Sequence, residues 1–446
     1  MADTENPCCS FCGAEKSATV PLIAGNDGRI CEACVKLAHQ VVNSWGQRRK
    51  SQELAPQLRT PAEYKKHLDE SVIGQEEAKE TLSVAVYNHY LRLLNCDRDP
   101  VCHLSEEVEL EKSNILMAGP SGTGKTLLVR TLARILGVPF ASADATTLTQ
   151  AGYVGDDVDS IIARLLDAAD GDVQQAQWGI VYIDEVDKLA RRSGGGTAVR
   201  DISGEGVQQA LLKMVEGSEM RISKSGRRNE QNEEQVIDTR NILFIAGGAF
   251  PGLEALVSSR LQPKDTSIGF HTAPKQKAPS INELLSSLLP DDLHEFGLIP
   301  EFIGRFPIIT FLQELDHATL LRILTEPRNA LVKQYKQLFA YQGVTLEITD
   351  AALDYIADQA LTRKTGARGL RAVLEGALQK TMFDMPSMPG LRACTLDLAE
   401  QEGGVQRLTV ATRIAEPGDE DDASFSMPSP EESTAQAKLT AELSQR

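Results

Sequence analysis

Gly119-Pro-Ser-Gly-Thr-Gly124-Lys125-Thr126 has the form G-x-x-x-x-G-K-[ST], and downstream Ile180-Val-Tyr-Ile183-Asp184-Glu185 is an apolar run ending in two acids. These residue types divide the work of nucleoside triphosphate hydrolysis. Glycines let backbone N–H groups curl around phosphate oxygens, and a helix N-terminus adds positive potential. Pro120, Ser121, Gly122, Thr123 and Gly124 form that cradle, with Lys125, Thr126 and Leu127 opening the helix behind it. The Lys125 ammonium reaches the β- and γ-phosphates, and the Thr126 hydroxyl suits Mg²⁺. Asp184, at the end of a strand, holds the same ion, while Glu185 orients and deprotonates the attacking water.

Departing phosphate charge also needs a cation. Arg305, in Glu301-Phe-Ile-Gly-Arg305, and Arg368, in Thr365-Gly-Ala-Arg368-Gly, are available, but spacing alone does not choose them over surface salt-bridge residues. A second chemistry is written at the N-terminus. Cys9-Ser-Phe-Cys12 and Cys31-Glu-Ala-Cys34 are two C-x-x-C knuckles, and four thiolates satisfy tetrahedral Zn²⁺. A redox C-x-x-C is the weaker alternative, because two pairs occur together. Cys8 breaks the spacing and reads as a spare thiol; Cys96, Cys102 and Cys394 read as ordinary thiols.

Two loops carry apolar groups in polar or glycine-rich surroundings. Gly152-Tyr153-Val154-Gly155 is a mobile tip with a bulky aromatic, unless the core buries it. Ile268-Gly269-Phe270 lies within Lys264–Ser280, which is rich in Lys, Pro, Ser and Thr. Burying such side chains is worth about 1.5–3 kcal/mol each, so a partner is expected to cover them.

The elements that must position these groups follow from apolar periodicity. Strands are expected at Asn114–Ala118, Gly179–Ile183 and Asn241–Ala246, each uninterrupted and so buried on both faces, as in a parallel sheet covered by helices. Helices are expected at Gly74–Leu94, at Lys125–Leu136 closed by Gly137, and at Gly206–Glu216 closed by Gly217. His89 lies beside the apolar stripe of the first and reads as a packed structural histidine. After Thr310 the pattern turns mostly helical, with strands at Val344–Thr349, Ala393–Leu398 and Val405–Ala411. The fold class is therefore α/β: a P-loop NTPase, a smaller α/β lid and an N-terminal four-cysteine zinc module. The expected segments are the module at 1–46, a linker at 47–61, the large domain at 62–310, the lid at 311–415 and a disordered acidic and polar tail at 416–446.

Composition narrows the class further. The 446 residues exceed one core, and 46 basic against 63 acidic residues give a net charge of −17, which argues against nonspecific nucleic-acid binding. No apolar run is long enough to span a bilayer, and the acidic, polar start resembles neither a secretory signal nor a transit peptide. A cytoplasmic location with no membrane partner is the expectation.

Taken together, Gly119–Thr126, Ile183-Asp184-Glu185, Gly152–Gly155, Ile268-Gly269-Phe270 and Gly366-Ala-Arg368-Gly resemble the Clp family of AAA+ unfoldases, from Cys9 to about Thr412. The resemblance implies a homohexamer that hydrolyses ATP to unfold tagged proteins and feed them to the ClpP peptidase. It makes Arg305 an arginine finger acting on a neighbouring subunit's nucleotide and Arg368 the sensor-2 arginine of its own. It puts Val72 and Ile73 at the adenine, makes Tyr153 and Val154 the pore grip, and places a second pore segment in Arg191–Arg200. Arg227 and Arg228 belong to the pore entrance, where the family's Arg-Lys-His is here Arg227-Arg228-Asn229. Ile268, Gly269 and Phe270 dock the peptidase, and the zinc module dimerises and recognises substrates and adaptors. The strand ending Ala246-Gly247-Gly248 offers no polar sensor-1 side chain, so that role stays unassigned. An AAA+ ATPase remodelling DNA complexes and an ATP-binding scaffold without turnover are the alternatives. The charge and the Ile-Gly-Phe loop oppose the first, Asp184 and Glu185 the second.

Overall fold

The computed structural model describes residues 8–15, 21–25, 28–38, 58–96, 110–149, 156–190, 202–223, 234–261, 280–401 and 405–414. In chain order its strands are β1 (Leu22–Ala24), β2 (Arg29–Cys31), β3 (Ile115–Ala118), β4 (Phe140–Asp144), β5 (Leu148–Thr149), β6 (Asp156–Asp157) and β7 (Ile180–Asp184). They continue with β8 (Glu219–Ser223), β9 (Glu234–Asp238), β10 (Leu243–Gly248), β11 (Ile308–Phe311), β12 (Thr345–Ile348), β13 (Leu391–Gln401) and β14 (Val405–Ile414). The chain forms two compact units, Met1–Ala330 with Ala357–Arg371, and Leu331–Ile356 with Ala372–Arg446.

In the first unit a five-stranded, all-parallel sheet runs β11-β3-β10-β7-β4. The apolar residues of its central strands are buried and divide their side chains between two cores. Leu116, Ala118, Val181, Ile183, Phe244 and Ala246 face a cluster built with the helices Asp159–Ala168 and Ile202–Glu216 and the segment Leu293–Phe306. Ile115, Met117, Ile180, Tyr182, Leu243 and Ile245 face the other, built with the helices Pro61–Asp69, Glu76–Cys96 and Lys125–Leu136. Alternation of Cβ direction along each strand produces the two cores, which is why these strands read as continuous apolar runs.

Local signals set the helix limits. Thr60 caps Pro61–Asp69 in a reciprocal box with Glu63. The next helix starts at Glu76 rather than Gly74, because Gly74 and Gln75 hold φ of 68° and 62°, outside the right-handed region. The helix expected from Gly206 begins earlier, at Ile202. Of the expected strands, Asn241 instead ends a short 3₁₀ turn, Thr239–Asn241, before β10.

His89 is buried with its Nε2 3.1 Å from the Asn241 carbonyl, as a structural histidine should be. Burial, then the cations of Arg92 and Lys112, lower its pKa to about 3 against the pull of that carbonyl. A depressed pKa means the unfolded chain binds the extra proton, so this stability is complete above the ordinary value near 6.5 and is lost as pH falls toward 3. At pH 5 the loss is about 2 kcal/mol. Thermal unfolding of wild type and His89→Gln across pH 4–8 should therefore converge as pH drops; parallel curves would show that the fold does not depress the His89 pKa.

In the second unit β13 pairs parallel with β12 and antiparallel with β14, Leu396 lying opposite Val410. Thr349 donates its hydroxyl to Asp397 at 2.7 Å just beyond β12, and Tyr335 donates to Glu375 at 2.7 Å. It is a small α/β layer. Near the N-terminus, β1 and β2 form a hairpin with Leu22 opposite Cys31. No helix among the described residues is long and apolar enough to cross a membrane.

Candidate nucleotide-binding site

β3 ends at Ala118, and the chain turns through Gly119–Gly124 into the helix Lys125–Leu136, so the loop stands at the carboxyl end of a parallel strand. Gly124 sits at φ 101° and caps the helix without a side-chain acceptor, leaving its first N–H groups to whatever occupies the loop. Thr123 closes the turn from within, its hydroxyl donating 2.8 Å to the Pro120 carbonyl. Leu127 is half exposed on the first helical turn.

Lys125 is buried, with Nζ donating to the Gly119 carbonyl and, at 3.0 Å, to that of Pro120. Burial pulls its ammonium down to about 8, against the raising pull of Asp184, Asp187 and Glu185, while Arg368 adds to the lowering. Asp184, the last residue of β7, accepts the Thr126 hydroxyl at 3.0 Å on Oδ2. Its Oδ1 accepts the Tyr182 hydroxyl at 3.1 Å and the Glu185 N–H at 3.0 Å. Glu185 follows with φ 58°, a left-handed conformation uncommon for any residue but glycine. Strain of this kind concentrates at working sites.

The segment around Arg368 joins the loop from the other side. Ala367 N–H donates to the Gly122 carbonyl at 3.1 Å. Gly122 holds φ 78°, and a Cβ there would strike the Thr365 carbonyl, so glycine is required twice over. Val72 is buried in the same cluster as Leu128 and Val129 of the loop helix, and buried Ile73 follows it. Gln75 anchors this segment by trading hydrogen bonds of 2.9 and 2.8 Å with the Gln313 backbone.

Arg305 lies elsewhere. Its carbonyl accepts from Asn114 Nδ2 at 2.9 Å, at the amino end of β3, and its guanidinium pairs with Glu216 at 2.8 and 3.0 Å. From Asn114 to Gly119 is five residue steps along β3, on the order of 15 Å. Arg305 and the phosphate loop therefore stand at opposite ends of the same sheet.

Sequence reasoning missed Asp187, which is buried and accepts the Ala249 N–H at 3.0 Å, tying the segment after β7 to the one after β10. It also missed Tyr182 and the Glu216 pair. An acid two residues beyond Glu185 was the only signal for the first. Tyr153, Val154, the segment 191–200, Arg227, Arg228, Ile268, Gly269 and Phe270 lie outside the described residues, as does Cys102.

In the N-terminal module the sulfurs of Cys9, Cys12, Cys31 and Cys34 lie within 4.8 Å of one another. Cys12 and Cys31 Sγ are 3.6 Å apart, near the roughly 3.8 Å edge of a tetrahedron of 2.3 Å Zn–S bonds. The N–H groups of Cys12, then Phe11 and Cys31, lower the Cys9 thiol to about 6, while the neighbouring Cys12 and Cys31 sulfurs push Cys34 up to about 12. Four thiols this close ionise together only around a cation, so the donor set fits zinc. Cys8 is exposed and outside the cluster, and Cys394 is buried in the second unit.

A parallel β11-β3-β10-β7-β4 sheet with a phosphate loop after β3, one acid ending β7 and a second directly following it defines a P-loop ATPase of the AAA+ class. The chain is 87% identical over 418 residues, 94% of its length, to the ATP-dependent Clp protease ATP-binding subunit ClpX of Azotobacter vinelandii, covering 95% of that protein, and it belongs to the ClpX family. Similar ClpX subunits occur in Methylococcus capsulatus, 58% identical over 89% of this chain and 92% of that one, and in Porphyromonas gingivalis, 47% identical over 85% and 92%. Residues 110–309 match the AAA domain (Cdc48 subfamily), 315–393 the C-terminal D2-small domain of ClpB protein, and 7–44 the ClpX C4-type zinc finger.

Proposed function

We propose that this chain is the motor subunit of an ATP-dependent protease, an unfoldase that hydrolyses ATP to unfold tagged proteins and translocate them through a homohexameric pore into the ClpP peptidase. The observation that carries the reading is the 87% identity to a ClpX subunit over 94% of the chain. The nucleotide-site geometry supports it independently, because Lys125, Thr126, Asp184 and Glu185 are gathered at one end of the sheet.

In this reading Lys125 trades its carbonyl partners for the β- and γ-phosphates of ATP, and Val72 and Ile73 face the adenine. Thr126 and Asp184 hold Mg²⁺, which neutralises charge between the phosphates when bound. Glu185 orients the attacking water and takes its proton. Arg368 senses the nucleotide of its own subunit. Arg305, at the far end of the sheet, acts on a neighbour's nucleotide, and this is what ties turnover to ring assembly. Cys9, Cys12, Cys31 and Cys34 hold structural zinc in a dimerising module that receives substrates and adaptors. Tyr153 and Val154 grip the threaded chain, Arg227 and Arg228 attract tags at the entrance, and Ile268-Gly269-Phe270 docks ClpP. Several copies around a ring strengthen individually weak docking. The segment boundaries at 46, 61, 310 and 415 belong to the same proposal, as does a cytoplasmic site of action.

The test is degradation of a stable, tagged fluorescent protein by this chain, purified ClpP and ATP. Loss of fluorescence should need all three. Degradation without ATP, or ATPase activity stimulated by DNA and not by unfolded protein, would overturn the reading.

A further inference from the structure

β10 ends in Ala246-Gly247-Gly248 and carries no polar side chain to the level where β7 delivers Asp184. The adjacent strand fills that place. Ile245 of β10 pairs with Tyr182 of β7, and a Cβ on Gly247 would overlap the Tyr182 hydroxyl and stand 2.8 Å from ring carbon Cζ. The phenol is buried, with its hydroxyl directed at the Asp184 carboxylate.

Its acceptor is Asp184 Oδ1, at 3.1 Å, which also takes the Glu185 N–H at 3.0 Å. Two donors on β7 and its extension thus pin one carboxylate oxygen. The other, Oδ2, is turned to the Thr126 hydroxyl at 3.0 Å. Without the phenol, Oδ1 keeps only the Glu185 N–H, and the carboxylate gains freedom to rotate about its Cβ–Cγ bond.

We propose that Tyr182 is a positioning residue for ATP hydrolysis: its hydroxyl occupies the space left by Gly247 and fixes the Asp184 carboxylate with Oδ2 toward Thr126. The proposal rests on the hydrolytic reading above. A group that orients a metal ligand influences metal affinity or activity by roughly ten- to a hundredfold when removed.

Tyr182→Phe keeps the ring and removes the hydroxyl. In the full-length chain, the Mg²⁺ concentration for half-maximal ATPase should rise about tenfold. KM for ATP at saturating Mg²⁺ and affinity for a fluorescent ADP analogue in EDTA should stay at wild-type values, while the loss of one buried hydrogen bond lowers the melting temperature modestly. Gly247→Ala, which displaces the hydroxyl without deleting it, should shift the Mg²⁺ curve the same way. A Tyr182→Phe curve superimposed on wild type would overturn the proposal, as would a lower melting temperature with unchanged Mg²⁺ dependence. A wild-type protein with no ATPase activity would instead overturn the hydrolytic reading.

Discussion

Lys125→Ala should lower ATP affinity at least a hundredfold, about 2.7 kcal/mol, while leaving the fold intact. Lys125 is buried and already desolvated, its ammonium drawn down to about 8 and held by the Gly119 and Pro120 carbonyls. Most of the cost of placing a cation in this loop is thus met before any phosphate arrives. What the phosphate adds is the full gain of charge-assisted hydrogen bonds in a shielded site. Alanine loses that gain but strands no buried charge, since the groups it leaves are neutral carbonyls, that of Gly119 buried and that of Pro120 part-buried. Titration with a fluorescent nucleotide, alongside a melting curve, measures both. Wild-type affinity in the variant would remove Lys125 from the phosphate site.

The parts of this site differed in how plainly the sequence displayed them. β3 and β10 are buried along their whole length, and β7 at every residue but its terminal Asp184, so their apolar runs stand out. The sheet's edges do not. β4, Phe-Ala-Ser-Ala-Asp, alternates buried with less buried residues, and β11 follows Pro307 with its first two residues only half-buried. An edge strand has one neighbour and needs less apolar surface, so periodicity passes over it. The β8–β9 hairpin was missed for a related reason: its strands read Glu-Met-Arg-Ile-Ser and Glu-Gln-Val-Ile-Asp, too short and charged for a clear pattern.

Groupings of side chains were legible where residue types at a short spacing suffice, as in the loop leading to Lys125 and in the two C-x-x-C knuckles, whose four sulfurs lie within 4.8 Å of one another. They were hidden where the partner comes from across the fold. Nothing local in the sequence joins Arg305 to Glu216, 89 positions away, or Ala249 to Asp187, 62 positions away. Tyr182 was hidden differently: a tyrosine inside an apolar strand reads as core, and only the space at Gly247 shows where its hydroxyl goes.

The Arg305–Glu216 link also bears on the role proposed for Arg305. Glu216 ends the helix Ile202–Glu216 and holds Arg305 by two hydrogen bonds from Nε and Nη2. The pair is about half exposed, so it contributes little to stability, and its consequence is geometric. It orients the guanidinium at the end of the sheet away from this chain's own phosphate loop.

Glu185→Gln should bind ATP with wild-type affinity, within about twofold, and hydrolyse it at least a hundredfold more slowly. Glutamine keeps the length and shape of the side chain but cannot take a proton from water, so the change isolates the base. The backbone argues that the residue is held for a purpose. Its φ of 58° costs on the order of 1 kcal/mol or more in a residue other than glycine. The fold sustains it through Asp184 Oδ1, which accepts the Glu185 N–H at 3.0 Å, and through the Glu185 carbonyl, which accepts from Lys188 N–H at 3.0 Å. Both anchors are retained in the glutamine variant, so the melting temperature should not move. The measurement is single-turnover hydrolysis of labelled ATP beside equilibrium nucleotide binding. Normal turnover would mean that another group takes the proton, and buried Asp187, two residues further along, would be the first to examine.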